Sequence, residues 1–207
     1  MIKLYGFPGT RSSRVQWLLE EAQLPYEFEL VDVMGGAHKS PEHLARQPPA
    51  LAIEHLVPAL EDGDLRIIES VAMCLHVADL AGGKLAPAIG TPERARYYQH
   101  MVYAASTLDP TIIGAYMQLR FVPAEHRDEK LVEQSKKTFA VSAGVLGAAL
   151  GDSEYLLGGE LGAVDVVVGY DLNLARELGW LDELPVLKRY AERLAARPAF
   201  KAAHPSR

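Results

Sequence analysis

Val57-Pro58-Ala59-Leu60-Glu61-Asp62-Gly63 is the stretch of sequence that decides the fold of this chain. Proline has no amide hydrogen to donate to a sheet, so Pro58 fits only the first position or the edge of a strand. Asp62-Gly63 is typical of a two-residue hairpin turn. The stretch therefore predicts two antiparallel strands, over residues 59–61 and 65–68.

The main chain just before the first of these strands is a candidate binding edge. We expect a cis bond between Val57 and Pro58, a geometry that costs little only before proline. In that geometry the amide and carbonyl groups of Val57 point outward. They can then pair with an extended ligand, as an added strand does.

Glu69-Ser70 follows the second strand and adds two sites for charged groups. Ser70 is the expected N-cap of a helix over residues 70–80, and the free amides at a helix start attract a carboxylate. Glu69 suits an ammonium group. Together with the edge at Val57, these features match a small extended molecule with an α-amino acid end and a peptide backbone, and glutathione is such a molecule. The alternative is that Ser70 only begins a helix and Glu69 is an ordinary surface charge.

Composition and charge exclude several classes of function. The 207 residues carry a net charge of −6 without a block of like charges, which argues against nucleic acid as the main partner. There is no run of about 20 apolar residues, so we expect no membrane span. Cys74 is the only cysteine, which excludes an intrachain disulfide and a thiolate metal site. With no signal peptide before the first strand, we expect a cytoplasmic protein that uses no metal.

Hydrophobic periodicity divides the chain into an α/β part and an all-helical part. Residues 1–80 alternate short strands and helices, residues 81–90 form a linker, and residues 91–207 are helical almost throughout. The predicted strands, besides the hairpin, cover residues 2–5 and 27–31. The predicted helices cover residues 13–22, 40–45, 70–80, 91–121 with a kink near Pro110, 128–150, 162–178 and 185–197.

Five segments, in this order and spacing, carry a resemblance to a known family. They are Leu4-Tyr5-Gly6-Phe7-Pro8-Gly9-Thr10-Arg11-Ser12-Ser13-Arg14-Val15; Leu18-Leu19-Glu20-Glu21 with Leu24-Pro25-Tyr26-Glu27; the hairpin stretch with Glu69-Ser70; Ala163-Val164-Asp165; and Pro185-Val186-Leu187-Lys188-Arg189-Tyr190 with Arg197-Pro198-Ala199-Phe200. The chain resembles the cytosolic glutathione transferase family over essentially its whole length, and looks closest to a bacterial serine-type group. The resemblance implies an N-terminal thioredoxin-like domain, a C-terminal helical bundle domain and a homodimer.

The loop after the first strand holds the candidate catalytic hydroxyls, Thr10, Ser12 and Ser13. A thiol titrates near pH 8.5, and lowering its pKa by about two units takes roughly 2.7 kcal/mol of anion stabilisation. A hydroxyl donor and a helix N-terminus can supply that much. The place of the family's serine falls nearest Thr10, with Ser12 next; the alternative is that Ser12 caps the helix and Thr10 packs in the turn. Arg11 either adds positive charge near the thiolate or faces solvent.

The glycine carboxylate of glutathione also needs a partner. The family commonly has a glycine and a lysine or glutamine just before its Val-Pro element, whereas this chain has Glu54-His55-Leu56 there. His38, Lys39 and His55 are the candidates for binding this carboxylate. An ordinary surface position is the alternative for each of them.

The long helix after the linker lines the electrophile pocket in the resembling family. Tyr103 and Ser106 are therefore the candidate pocket residues, with core packing as the alternative for the tyrosine. Few charges fall between residues 101 and 119, so we expect an apolar pocket.

Asp165 is expected to have a structural role. It lies three positions after Gly162, where the family has an N-capping box with serine or threonine at the cap. Glycine lacks a side-chain acceptor, but the carboxylate of Asp165 can still cover free amides at the helix start.

The resemblance implies an enzyme, a transferase that conjugates the thiolate of glutathione to a small hydrophobic electrophile. Two alternatives stay open. One is a non-catalytic binding or interaction protein on the same scaffold, favoured by threonine at position 10 and by the altered loop before Val57. The other is a glutathione-dependent isomerase or dehalogenase, which would use the same thiolate.

Overall fold

The computed structural model describes residues 1–46 and 57–204, and the structural statements below refer to these residues. Their contacts form two compact units. The first unit contains Met1–Leu85 together with the segment that begins at Arg197, and the second contains Ala86–Ala196. The division falls inside the predicted linker, while the domain bounds 1–80 and 91–207 stay a prediction. No helix in the described part of the chain has both the length and the apolar character to cross a membrane.

The described strands form one sheet in the first unit, in the order β2-β1-β3-β4. They are β1 (Ile2–Gly6), β2 (Tyr26–Leu30), β3 (Ala59–Asp62) and β4 (Leu65–Ile67). β1 runs parallel to β2 and antiparallel to β3, and β3 pairs antiparallel with β4. The hairpin predicted from the Asp-Gly turn is therefore confirmed.

Three longer helices complete the first unit. They are α1 (Ser12–Ala22), α3 (Ser70–Leu80) and, from the far end of the chain, α9 (Pro198–Ala203); a short helix, α2 (Pro41–Leu44), precedes the hairpin. α1 packs against both α3 and α9. Leu4 and Leu60 of the sheet and Leu18 of α1 are fully buried, so the core lies between the sheet and these helices.

The separate helix α9 was not predicted from the sequence, which instead indicated a single helix over residues 185–197. The residue before a proline is disfavoured in helical conformation, and Arg197 is extended, with φ −65° and ψ 139°. The preceding helix therefore ends before Pro198 and a new one begins there. The Arg197 guanidinium donates to both carboxylate oxygens of Glu21, at 2.6 and 2.7 Å, and this pair fastens the new helix to α1.

The second unit is all-helical. Its helices are α4 (Pro92–Tyr103), α5 (Asp109–Phe121), α6 (Glu129–Leu150), α7 (Ala163–Glu177) and α8 (Pro185–Ala195). The kink predicted near Pro110 corresponds to a π-helical turn, Ala104–Leu108, that joins α4 to α5. Proline cannot donate to the carbonyl four residues earlier, and a wider turn is one way to absorb the lost bond. Every α7 residue from position 163 to position 175 is buried, which confirms the predicted central helix.

Asp165 sits at the start of α7 as predicted, and its carboxylate is fully buried. It accepts hydrogen bonds from the amide of Gly162 at 2.7 Å and from the amide of Leu156 at 2.9 Å. The Tyr190 hydroxyl of α8 donates to the same carboxylate. Burial raises the pKa of Asp165, and these three donors oppose that shift. One side chain therefore ties the loop before α7, the start of α7 and α8 together.

We predict that Asp165→Ala lowers the free energy of unfolding by about 2–4 kcal/mol, because three buried donors lose their acceptor. Urea unfolding followed by circular dichroism measures this change. Asp152→Ala, which removes an exposed carboxylate from the loop before α7, is the control and should leave the midpoint in place. Equal midpoints for the two variants would contradict the structural role of Asp165.

Candidate functional site

The register of the sheet brings the predicted motifs to the same end of the strands. Tyr5 lies opposite Ala59, and Leu60 lies opposite Ile67. The loop that follows β1, the residues that lead into β3 and the residues that leave β4 consequently meet at the same end of the strands. α1 and α3 both begin at this end.

The Val57–Pro58 bond is cis, as the sequence predicts. Val57 is half-buried and packs against Tyr5 and Ala59. Among the described residues, none forms a hydrogen bond with the amide or the carbonyl of Val57. This stretch of main chain thus keeps the donor and the acceptor that pairing with an extended ligand requires.

The loop after β1 holds its three hydroxyls in different environments. Ser12 and Ser13 are buried, with 1% and 0% of their surface exposed. Thr10 is half-buried. Of these three residues, Thr10 is therefore the one that is not fully buried, and it lies next to the start of α1. Neither serine is the N-cap of that helix, since the N-cap residue is Arg11, whose side chain forms no capping hydrogen bond.

Hydrogen bonds link these hydroxyls to the main chain of the loop. The Thr10 hydroxyl lies 2.6 Å from the carbonyl of Phe7 and 2.8 Å from the hydroxyl of Ser12. The amide of Phe7 donates to the Ser12 hydroxyl at 3.2 Å. Ser13 instead accepts from the amide of Gly9 at 3.1 Å. Ser12 is thus hydrogen-bonded to Thr10, whereas Ser13 is hydrogen-bonded to the main chain of the loop at Gly9.

Glu69 and Ser70 lie at the same end of the sheet, but the predicted N-cap is one residue too late. Ser70 is the first residue of α3, and Glu69 precedes it with φ 70° and ψ 102°. This left-handed φ is unusual for a residue with a side chain, and it turns the chain from β4 into α3 one position earlier than expected. The Glu69 side chain is exposed, and no partner within the described residues holds its carboxylate.

Two of the three candidate residues for the glycine carboxylate lie in the described part of the chain. His38 and Lys39 lie in a short 3₁₀ turn, Ala37–Lys39, and the lysine is exposed. Ser40 then caps α2 by accepting from the amide of His43 at 3.1 Å. His55 lies outside the described residues.

A polar network that the sequence analysis missed ties the end of α2 to the sheet. Arg46 pairs with Glu29 at 2.6 Å, and its guanidinium lies 4.3 Å from the ring centroid of Tyr5. Arg66 donates to the carbonyl of Ala45 at 2.6 Å. Because α2 directly follows the 3₁₀ turn, this network also restrains the position of that turn. Charged residues alternating with apolar ones along the strands were the signal that could have revealed it.

The two candidate pocket residues lie in the second unit, and both have local partners. The Tyr103 hydroxyl donates to the carbonyl of Ser142 at 3.0 Å. Ser106 lies in the π-helical turn and donates to the carbonyl of Val102 at 2.8 Å. Their role in a substrate pocket stays a prediction.

The described residues offer neither a metal-binding cluster nor a reactive cysteine. Within residues 1–46 and 57–204, no group of three or more histidine, cysteine or acidic side chains is arranged to bind a metal ion. Cys74 is buried in α3, and burial raises the pKa of its thiol to about 12. A thiol with so little thiolate near neutral pH is a poor nucleophile.

Comparison with known proteins identifies the family of the chain. A family model for the glutathione S-transferase N-terminal domain matches residues 1–79, and a model for the glutathione S-transferase C-terminal domain matches residues 111–198. The chain belongs to the glutathione S-transferase family. The predicted fold class, a thioredoxin-like N-terminal domain with a C-terminal all-helical domain, is confirmed.

Relatives of this transferase occur in plants and bacteria. Glutathione S-transferase 4 of Zea mays is 30% identical over 210 residues, which cover 96% of this chain and 89% of the relative. Glutathione S-transferase GstB of Escherichia coli strain K12 is 31% identical over 206 residues, which cover 97% of this chain and 96% of the relative.

Solved structures of transferases superpose on the chain closely. The crystal structure of glutathione transferase F7 from Populus trichocarpa matches with a TM-score of 0.86 and 26% identity, covering 98% of this chain and 97% of the other. A glutathione transferase family member from Pseudomonas fluorescens, with two glutathione bound, matches with a TM-score of 0.86 and 26% identity, covering 98% and 92%.

Proposed function

We propose that this transferase conjugates the thiolate of glutathione to small hydrophobic electrophiles and that the Thr10 hydroxyl stabilises the thiolate. The transferase class follows from membership of the family. The observation that carries the site assignment is the meeting of three features at one end of the sheet: the half-buried Thr10, the main chain of Val57, and the carboxylate of Glu69, the last two without a hydrogen-bond partner among the described residues. Neither a non-catalytic protein nor an isomerase or dehalogenase is favoured by the comparisons.

The proposed binding mode follows the chemistry of each part of glutathione. The main chain of the cysteinyl residue pairs with the amide and carbonyl of Val57, beside Pro58. Glu69 accepts from the ammonium of the γ-glutamyl end, and Ser70 and the amides at the start of α3 donate to its carboxylate. A glutathione-bound relative from Pseudomonas fluorescens supports glutathione as the co-substrate.

Three cations are proposed for the other end of glutathione. His38 and Lys39 are candidates for its glycine carboxylate, with His55 as a third candidate from the undescribed segment. Arg11, at the start of α1, adds positive charge near the sulfur. The attraction of an exposed charge is modest, so Lys39 adjusts affinity more than it determines it.

In this proposal, the loop stabilises the thiolate form of bound glutathione. A charge-assisted hydrogen bond from a hydroxyl contributes about 1.5–3 kcal/mol. A helix N-terminus adds about 0.3–1 kcal/mol. Their sum matches the roughly 2.7 kcal/mol that lowers the pKa by about two units. The electrophile is held by the helical unit, with Tyr103 and Ser106 proposed among the pocket residues.

We predict that Thr10→Val raises the pKa of bound glutathione and lowers kcat/KM about 10- to 100-fold near neutral pH, because the donor to the thiolate is lost. Conjugation of a chlorinated nitrobenzene, measured against pH, gives both quantities. Thr10→Ser keeps the hydroxyl and should stay within a few-fold of the natural enzyme. A pH profile of Thr10→Val that overlays that of the natural enzyme would rule out Thr10 as the donor.

We predict that Glu69→Gln weakens glutathione binding about tenfold, because the γ-glutamyl ammonium loses a charged acceptor. Titration calorimetry with glutathione measures the dissociation constant. Glu154→Gln, an equal change in charge at an exposed loop position in the second unit, is the control and should bind as the natural protein does. Equal affinities for the two variants would remove Glu69 from the binding site.

We also propose that the transferase is a homodimer. Two apolar side chains of α4, Tyr98 and Val102, are 44% and 62% exposed, and two of α6, Val141 and Val145, are 72% and 56% exposed. The Tyr103 hydroxyl of α4 donates to the carbonyl of Ser142 in α6, so one hydrogen bond joins the two helices near these side chains. An exposed apolar surface of this kind is typical of an interface between protein chains.

We predict that Val141→Asp shifts the protein from dimer to monomer, because an ionised carboxylate is strongly disfavoured in an apolar interface. Sedimentation equilibrium measures the mass. Lys136→Glu, another charge change in α6 on a different face of the helix, is the control and should remain dimeric. A natural protein that sediments at the mass of one chain would refute the proposed dimer.

We propose a bacterial, cytoplasmic setting for the transferase. A free buried cysteine suits a reducing compartment, which supports a cytoplasmic protein. The Escherichia coli relative supports a bacterial source. A role in detoxification follows if the electrophile is a toxic compound.

A further inference from the structure

Among the described residues, the hydroxyl of Ser12 has a single acceptor for its proton, the hydroxyl oxygen of Thr10. Its oxygen accepts from the amide of Phe7 at 3.2 Å, and it lies 2.8 Å from the hydroxyl oxygen of Thr10. Ser12 is 1% exposed, so water does not serve as its acceptor. Within residues 1–46 and 57–204, no other acceptor lies within hydrogen-bond distance of this hydroxyl. Because leaving a buried hydroxyl unpaired costs about 1–3 kcal/mol, Ser12 donates to Thr10.

This direction determines what Thr10 can do with its own proton. The Thr10 oxygen accepts from the hydroxyl of Ser12, and it also lies 3.3 Å from the Ser12 amide, which donates to it. A hydroxyl oxygen has two lone pairs, and both are now engaged. The proton of Thr10 points to the carbonyl of Phe7, 2.6 Å away, when no ligand is bound.

A hydroxyl in this state can donate to a thiolate but cannot take the proton of a thiol. Hydrogen bonds that run in one direction also polarise each other, which strengthens the last donor of the chain. The Thr10 proton is therefore free to turn from the Phe7 carbonyl to an incoming sulfur, while Ser12 holds the oxygen in place.

We propose that Ser12 is a positioning residue that donates to Thr10 and thereby makes Thr10 a dedicated hydrogen-bond donor to the glutathione thiolate. This inference rests on the proposed role of Thr10. The thiol proton then leaves to solvent before the electrophile reacts, since the loop offers no base to receive it. Thiolate accumulates in the complex of enzyme and glutathione, where its ultraviolet absorbance can be titrated.

The test is a pH titration of thiolate absorbance in that complex for four proteins: the natural enzyme, Ser12→Ala, Thr10→Val and the double variant. We expect Ser12→Ala to raise the pKa of bound glutathione and to lower kcat/KM about three- to tenfold near neutral pH. In the Thr10→Val background, the same change at Ser12 should shift the pKa no further, because valine cannot pass on the polarisation. This non-additivity is a readout that a merely structural role would not produce.

Ser13→Ala is the matched comparison. It removes an equally buried hydroxyl of the same loop, one that bonds to Gly9 rather than to Thr10, so it should reduce stability without moving the pKa of the thiol. If Ser12→Ala does not fold, Ser12→Gly also removes the donor, adds no thiol, and should raise the pKa of bound glutathione in the same way.

The outcomes separate this inference from the proposed function. Overlapping titrations for Ser12→Ala and the natural enzyme, with a shifted titration for Thr10→Val, would overturn the role of Ser12 alone. Equal shifts from Ser12→Ala and Ser13→Ala would also overturn it, because they would show a general effect on the loop. Absence of thiolate in the natural complex would overturn the proposed function together with this inference.

Discussion

The hydrogen-bond ladder between β1 and β3 is the constraint on which the rest of the site depends. Side chains alternate between the two faces of a sheet, so a shift of one residue would expose Leu4 and Leu60 and bury the charged Lys3 and Glu61. The observed register instead buries both leucines completely. The same register sets the start of β3 beside the end of β1. Burial of the core thus determines where the hydroxyl loop and the Val57 edge meet.

Close packing between the sheet and α1 places the chemistry of the loop at the same point. A side chain on Gly6 would bring its Cβ within 2.5 Å of both the Cβ and the hydroxyl of Ser12. Glycine at the end of β1 therefore lets α1 start close to the sheet. That close approach buries Ser12, whereas Thr10 is only half-buried.

Local sequence predicted several parts of this arrangement because the physical cause was local. A proline at a strand start, a turn of the Asp-Gly type and an acidic residue three positions into a helix act through neighbours in the chain. The cis bond, the hairpin and the cap at Asp165 followed from them. The prediction of Ser70 as the N-cap was wrong because the backbone of Glu69 has a positive φ, which places the N-cap one residue earlier and which the sequence around it did not indicate.

Other features depend on residues far apart in the sequence and were not predictable from local pattern. Arg46 pairs with Glu29, and Arg197 pairs with Glu21 across 176 positions of the chain. Each charged residue alone fits an ordinary surface position. The two pairs form because the sheet and the C-terminal helix bring residues that are distant in the sequence close together.

By itself, the sequence determined the element order of the first 80 residues, the family and the short list of loop hydroxyls, because each depends on the spacing of neighbouring residues. Only the tertiary structure decided which of these residues are fully buried and which hydroxyls lie within hydrogen-bond distance of each other. The reason is that burial, and the loss of water as a partner, come from the packing of α1 on the sheet and are not properties of serine or threonine themselves.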